Sequence, residues 1–350
     1  MKNTTPRRLA AALLAFSLAL AGCGPKRPVL HLYTWSDYID PDLVTAFEKA
    51  HGCRVKIDTF DSNETMYAKV QAGSGGYDII FPSSYQVSLM AQGDMLQTLD
   101  KSLLPNVAAH FDPAYSGVIV TPEMTYNVPY AVTFTGLAYR KDKTGDTPID
   151  TWASIDNPTF KGRIALLNDF RETLGAALKS LGYSLNSTNP DELQQAANVV
   201  LRWKKNIAKF DNEQYKTGIA SGEFILGHGY SGDIAQVMLD DPANIGFAFP
   251  KEGFTAACDE MVIPKTARQT ALAHAFINFL YDPENASRNI QYICAPMPNT
   301  EGIAKLPPEY RANPAILPPA EILARAEVLK DLGAANALYS KAWDRIKASE

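Results

Sequence analysis

Cysteine is scarce in this chain. Its 350 residues carry four, at positions 23, 53, 258 and 294. Apart from Cys23, the remainder is odd in number, so these cysteines cannot all pair within one chain, and their spacing fits no metal-ligand pattern. Stability must come from apolar cores. Histidine is also sparse: five residues, at 31, 51, 110, 228 and 274, with no H-x-x-x-H pair, which excludes the usual zinc hydrolase spacing. Neither a P-loop nor a dinucleotide fingerprint is present. Gly73-Ser74-Gly75-Gly76 follows a predicted helix and precedes a predicted strand, the reverse of a phosphate cradle, and reads as a turn. Gly229-Tyr230-Ser231-Gly232-Asp233 departs from the nucleophile elbow at its fifth residue. Basic charge is short as well: 33 Lys and Arg against 38 Asp and Glu, net −5. That argues against a nucleic-acid surface and suits a host for cations. No repeat at solenoid periods occurs. No cofactor, metal or catalytic residue is expected.

What is present begins with a leader. Lys2, Arg7 and Arg8 precede an apolar run from Leu9 to Leu20, too short for an ordinary transmembrane helix. Leu20-Ala21-Gly22-Cys23 then resembles a bacterial lipoprotein signal. The resemblance implies removal of residues 1–22, acylation of Cys23, and a lipid-anchored protein facing the periplasm or the cell exterior. Residues 23–28 form the tether. Later apolar runs are all too short to span a membrane.

The body alternates strand and helix. Val29, Leu30 and Leu32 mark a buried strand, and Asp40-Pro41 an N-cap with a first-turn proline. Residues 53–60 read as a second strand. Asp61-Ser62-Asn63-Glu64 has the D-x-x-E form of a capping box, which assigns Asp61 and Glu64 to capping. Asp78 to Phe81 is a short buried strand, followed by a helix. Residues 99–125 read as loop. Gly136 to Tyr139 is a strand crossing into a second unit. There, Gly162 to Leu167 is a strand, and Asn189-Pro190 caps a helix with Leu193, Ala197, Val200 and Leu201 on one face. Phe224 to Leu226 is a strand ending in a glycine-rich turn, and Ile245 to Phe249 another strand. Asp259 to Ile263 is a strand able to return to the first unit. A helix carries Leu272, Phe276, Phe279 and Leu280. Residues 306–319, with five prolines, read as an extended connector, and the chain ends in a helix around 338–347. This order predicts an α/β fold with parallel sheets flanked by helices.

Ligands of open α/β sheets bind where strands end. Here the strand ends repeat one mixture, carboxylates beside aromatic rings: Trp35-Ser36-Asp37-Tyr38; Ser83 and Tyr85; Asp169 and Glu172; Tyr230 and Asp233; Asp259. Carboxylates interleaved with rings match a linear polyamine, ammonium groups spaced along methylenes. Burying four methylenes supplies about 3 kcal/mol, whereas micromolar affinity needs about 8 kcal/mol. Charge-assisted hydrogen bonds and cation–π contacts must supply the rest. Each candidate has a structural alternative. Trp35 and Tyr38 suit a core, and Asp37 a turn. Asp169 and Glu172 suit a helix dipole, Asp233 a cap, and Asp259 the surface. Tyr130 suits packing, and His228 a structural role. Cys258 could be a nucleophile, but no base is evident, and a buried thiol explains it.

Whole segments then resemble the substrate-binding proteins of spermidine/putrescine ABC transporters. They include Leu32-Tyr33-Thr34-Trp35-Ser36-Asp37-Tyr38-Ile39, Tyr77-Asp78-Ile79-Ile80-Phe81-Pro82-Ser83-Ser84-Tyr85, Arg171-Glu172, Leu181-Gly182-Tyr183-Ser184 and Pro298-Asn299. The resemblance runs from about residue 29 to the C-terminus. It implies a two-lobed, type II periplasmic-binding-protein (Venus-flytrap) fold. Residues 29–134 and 256–304 would form lobe 1, and 135–255 and 305–350 lobe 2. It implies a receptor that binds putrescine, spermidine or both and delivers ligand to an ABC permease; a monomer is expected. In that frame Trp35, Ser36, Asp37, Tyr38, Ser83, Tyr85, Asp169, Glu172, Tyr230, Asp233 and Asp259 contact ligand, with Asp37 and Asp259 sharing one terminal ammonium. The chain departs from the family pattern at Ala257, Ala295 and Leu329, where a tryptophan, a tyrosine and a glutamine are usual, and near Val132, which replaces a tryptophan. Two rival readings are a thiaminase-like transferase using Cys258 and a polyamine-sensing surface lipoprotein without transport.

Overall fold

A computed structural model describes residues 27–73, 75–119 and 123–349. The leader and Cys23 lie outside the described residues. Strand β1 (Val29–Thr34) is the first apolar run. It pairs in parallel with β2 (Arg54–Thr59) on one side and β3 (Ile79–Ile80) on the other. Beside β3 lies the long strand β9 (Phe254–Val262), antiparallel to the still longer β4 (Asn127–Arg140). Their pairing has a register shift between Pro129 and Ala131, where proline cannot donate to the ladder. Beyond β4 come β7 (Leu226–Tyr230), β5 (Ile164–Leu166) and β6 (Lys209–Phe210), with β8 (Ile245–Ala248) also on β4 and β10 (Ala326–Val328) on β9. The expected α/β, two-lobed fold is what forms. Strands β4 and β9 run through both lobes, and the outer strands of each are parallel.

Helices cover both faces. The ones that matter here are α1 (Pro41–His51), α2 (Asn63–Gln71), α3 (Ser84–Gln92), α4 (Phe170–Ser180), α5 (Pro190–Lys204), α6 (Tyr215–Ser221), α7 (Ser231–Asp240), α8 (Thr270–Leu280), α9 (Pro283–Ile293) and α10 (Asn336–Ala348). Helix α1 starts as the sequence predicts, the Asp40 carboxylate accepting from the Asp42 amide at 2.8 Å. It stops at Gly52, whose φ of +61° is the left-handed conformation that glycine adopts without strain. Each lobe has its own large core. Leu30, Leu32, Phe47, Ile79, Phe81, Phe276 and Leu280 belong to the first. Leu137, Trp152, Ile164, Leu174, Val200, Trp203 and Phe254 belong to the second.

Four local expectations change. The N-cap of α2 is Ser62, not Asp61; the Ser62 hydroxyl accepts from the Thr65 amide, so Glu64 closes no capping box. The stretch Gly227-His228-Gly229 is not a turn but the body of β7. Gly229 gives ring clearance, since a Cβ there would sit 2.2 Å from the Tyr215 ring. His228 is buried there, edge-on to Trp152, and burial lowers its pKa to about 3, so it stays neutral. Leu306, Ala315 and Ile316, expected with the second lobe, lie in the first core. The prolines of that segment set turns and short helices over an apolar floor. Finally, residues 101–118 form short helical turns rather than plain loop. Among the described residues no helix is long and apolar enough to cross a membrane.

Candidate functional site

One buried acid of the cleft is Asp259. Along β9 successive side chains alternate in direction, so Ala257 and Asp259 face the cleft while Cys258 enters the second core. Asp259 is 6% exposed. Tyr38 donates to one of its oxygens at 2.5 Å and Ser83 to the other at 2.6 Å. The surface alternative for Asp259 is therefore wrong. Burial pushes its carboxyl up to about 6, against the pull of the two hydroxyls. Both donors are themselves held. Asn63 of α2 donates to the Ser83 hydroxyl and the Tyr85 hydroxyl, and accepts from the Ser83 amide. Tyr130 donates to the Tyr38 carbonyl, and Asn289 of α9 donates to Tyr130. Tyr130 thus packs in the core, as its sequence context suggests, and also braces the first loop.

From the second lobe come Asp169 and Glu172. Asp169 is the N-cap of α4, accepting from the Arg171 amide at 2.8 Å and the Glu172 amide at 3.0 Å. One carboxylate oxygen serves as the cap while the residue also lines the cleft, so the two readings of Asp169 coexist. Glu172 is 3% exposed and accepts from Thr135 of β4. Burial, then the charge of Asp169, raises its pKa. Asp233 is no cap, because the α7 N-cap is Tyr230. Instead it accepts from Tyr215 at 2.5 Å, and the same hydroxyl accepts from the Tyr230 amide. Burial raises its pKa, with the charge of Lys216 opposing.

Asp37 sits at φ +53° at the tip of the first loop, exposed. Its partner is Lys216 of α6, 3.4 Å away across the cleft. Lys216 was not foreseen: the strand before it, β6, is only two residues long, and Lys216 lies on a short helix. Thr135, Asn63, Tyr215 and Gln236 also escaped sequence reasoning. Their roles depend on contacts to residues far along the chain, though Asn63 lies within a segment already notable for its cap.

All eleven candidate residues line one cavity of about 200 Å³ between the lobes. Its rings are Trp35, Tyr38, Tyr85 and Tyr230. Ala257, Ala295 and Leu329 line it too, so three of the four expected departures are apolar wall positions. The fourth, Val132, is a buried core residue; its neighbour Thr133 is the one at the wall. Cys258 lies outside the lining, fully buried, with its thiol pKa pushed up by burial and the neighbouring acids Glu260 and Asp259. A cavity in which burial raises the pKa values of Asp169, Glu172, Asp233 and Asp259 is built to receive a cation.

The model of the bacterial extracellular solute-binding protein family matches residues 42–319. The chain belongs to this family. Among its relatives, a spermidine/putrescine-binding periplasmic protein of Escherichia coli (strain K12) is 33% identical over 349 residues, 99% of each chain. A putrescine/cadaverine-binding protein of Pseudomonas aeruginosa is 35% identical over 353 residues, covering 96% of this chain and 98% of its own. The solved spermidine/putrescine ABC transporter substrate-binding protein of Streptococcus pneumoniae superposes with a TM-score of 0.78 at 32% identity, covering 91% of this chain and 98% of that one. As a solute-binding protein, the chain places its cavity where both lobes can contribute walls. A ligand held there contacts side chains of both.

Proposed function

We propose that this solute-binding protein captures a linear polyamine, putrescine or spermidine, and delivers it to an ABC permease. The observation that carries the reading is the inter-lobe cavity, where four rings stand among buried carboxylates. The names of its relatives support the same ligand class. Asp259 serves as one ammonium anchor and Glu172 with Asp169 as another, while Trp35, Tyr38, Tyr85 and Tyr230 wall the methylenes. The leader and Cys23 support export and lipid anchoring, which mass spectrometry of the membrane-extracted protein checks. Cys258 has no place in this chemistry: it is buried away from the cavity.

Titration calorimetry with putrescine, spermidine, spermine and agmatine tests the reading. Binding of at least one is expected, and no heat and no thermal shift with any would refute it. Asp259→Ala should lower affinity by 100-fold or more, since it strands a desolvated ammonium. Glu64→Ala, outside the lining, should cost no more than a few-fold. Equal small losses would mean the anchor lies elsewhere.

A further inference from the structure

Seven carboxylates line the cleft; Asp61 and Glu213 are exposed at its edge, and the other five fall into three groups by the charges that face them. Asp259 stands alone, held by Tyr38 and Ser83. Asp169, the N-cap of α4, and Glu172 in its first turn stand together. Asp37 and Asp233 form the third, with Tyr215 bonded to Asp233. Of the residues lining the cavity, among the described residues, Lys216 alone is cationic. It belongs to the third group. Its ammonium is 3.4 Å from Asp37 and 2.9 Å from the Gln236 side-chain oxygen, and its side chain is 17% exposed. The other nearby cation, Arg171, is buried behind the wall. Its guanidinium donates to the Lys330 carbonyl, Asn186 and Asn336, so it does not enter the cavity.

We propose that Lys216 is a resident ammonium that occupies the Asp37 and Asp233 position, leaving two buried anionic positions open, so that the cleft selects a linear diamine over a triamine. This rests on the polyamine reading and narrows it. Lysine ends in the same primary ammonium on a methylene stem that a polyamine presents. A ligand's third ammonium, pushed toward Asp37, meets a like charge already hydrogen-bonded to Gln236. A diamine places its two charges at Asp259 and at the Asp169–Glu172 pair and leaves Lys216 undisturbed. Asp37 then contributes through Lys216, instead of sharing a ligand ammonium with Asp259.

The test is titration calorimetry of putrescine and spermidine against the wild type, Lys216→Met and Lys216→Arg, each checked for folding by thermal melting. The wild type should bind putrescine at least 10-fold tighter than spermidine. Lys216→Met should move that ratio at least 10-fold toward spermidine, and Lys216→Arg, which restores a cation, should move it back. If Lys216→Met does not fold, Lys216→Gln serves for the same ratio. An unchanged ratio with both ligands bound, or a wild type that prefers spermidine, overturns the proposal while leaving the polyamine reading intact. A wild type silent to both amines overturns the polyamine reading, and the proposal with it.

Discussion

At the residue scale, Asp259 shows how a binding site costs stability. Its carboxyl lies at about 6 in the fold against an ordinary 3.8. A raised carboxyl favours the protonated form in the folded state. Its contribution to stability is therefore greatest below the unfolded value and is lost as pH rises through about 6. The shift corresponds to at most about 3 kcal/mol. Asp259→Asn keeps the shape and removes the charge. The ligand-free variant should melt higher than wild type at pH 8, and the gap should narrow as pH falls through about 6 and close only below 3.8, while polyamine binding is lost. A variant that melts lower than wild type at pH 8 would mean that Asp259 is a structural acid. The same shift requires proton release when a cation binds near pH 6, visible as a buffer-dependent enthalpy.

At the element scale, α4 places two functions on one residue. Asp169 caps the helix through its carboxylate, and its charge also acts on Glu172. Asparagine caps about as well as aspartate, whereas alanine costs about 1 kcal/mol. Urea unfolding should show Asp169→Asn near wild type and Asp169→Ala destabilised by about that amount. Both should bind a dicationic amine more weakly. Wild-type affinity in Asp169→Asn would leave Asp169 as a cap only. The neighbouring β7–α7 corner makes a related point. One of its glycines is required by ring contact: Gly229 accommodates Tyr215, which in turn positions Asp233 and the start of α7.

For the whole molecule, the lobes share two strands and a few bonds across the cleft. Asn212 donates to the Asp61 carbonyl at 3.1 Å, Gln236 to the Tyr292 carbonyl at 3.2 Å, and Lys216 pairs with Asp37. These exposed or partly buried contacts are individually weak. A ligand that touches both lobes favours the closed arrangement by its differential affinity alone. Small-angle scattering should show a smaller radius of gyration at saturating amine than without it. An unchanged radius at saturation would place closure outside the binding step.

The α/β class, the first cap, the strand-end loops and the kinds of residue in them were all legible in the sequence. They are set by rules that act within about four residues: periodicity, capping and turn chemistry. Tertiary structure alone decided which acids are buried, because burial depends on strands far apart in the chain. Alternation along β9 sends Asp259 to the cleft and Cys258 to the core, yet nothing local says which face is which. Asp233, by sequence alone either a cap or a ligand contact, is bonded by Tyr215, 18 residues away. The glycine-rich stretch became a strand because β4 and β5 flank it and Tyr215 packs on it. Lys216 meets Asp37 from 179 residues away, since β4 and β9 carry the chain across and fold one lobe over the other. Local chemistry set the parts, and long-range packing set which charges face each other.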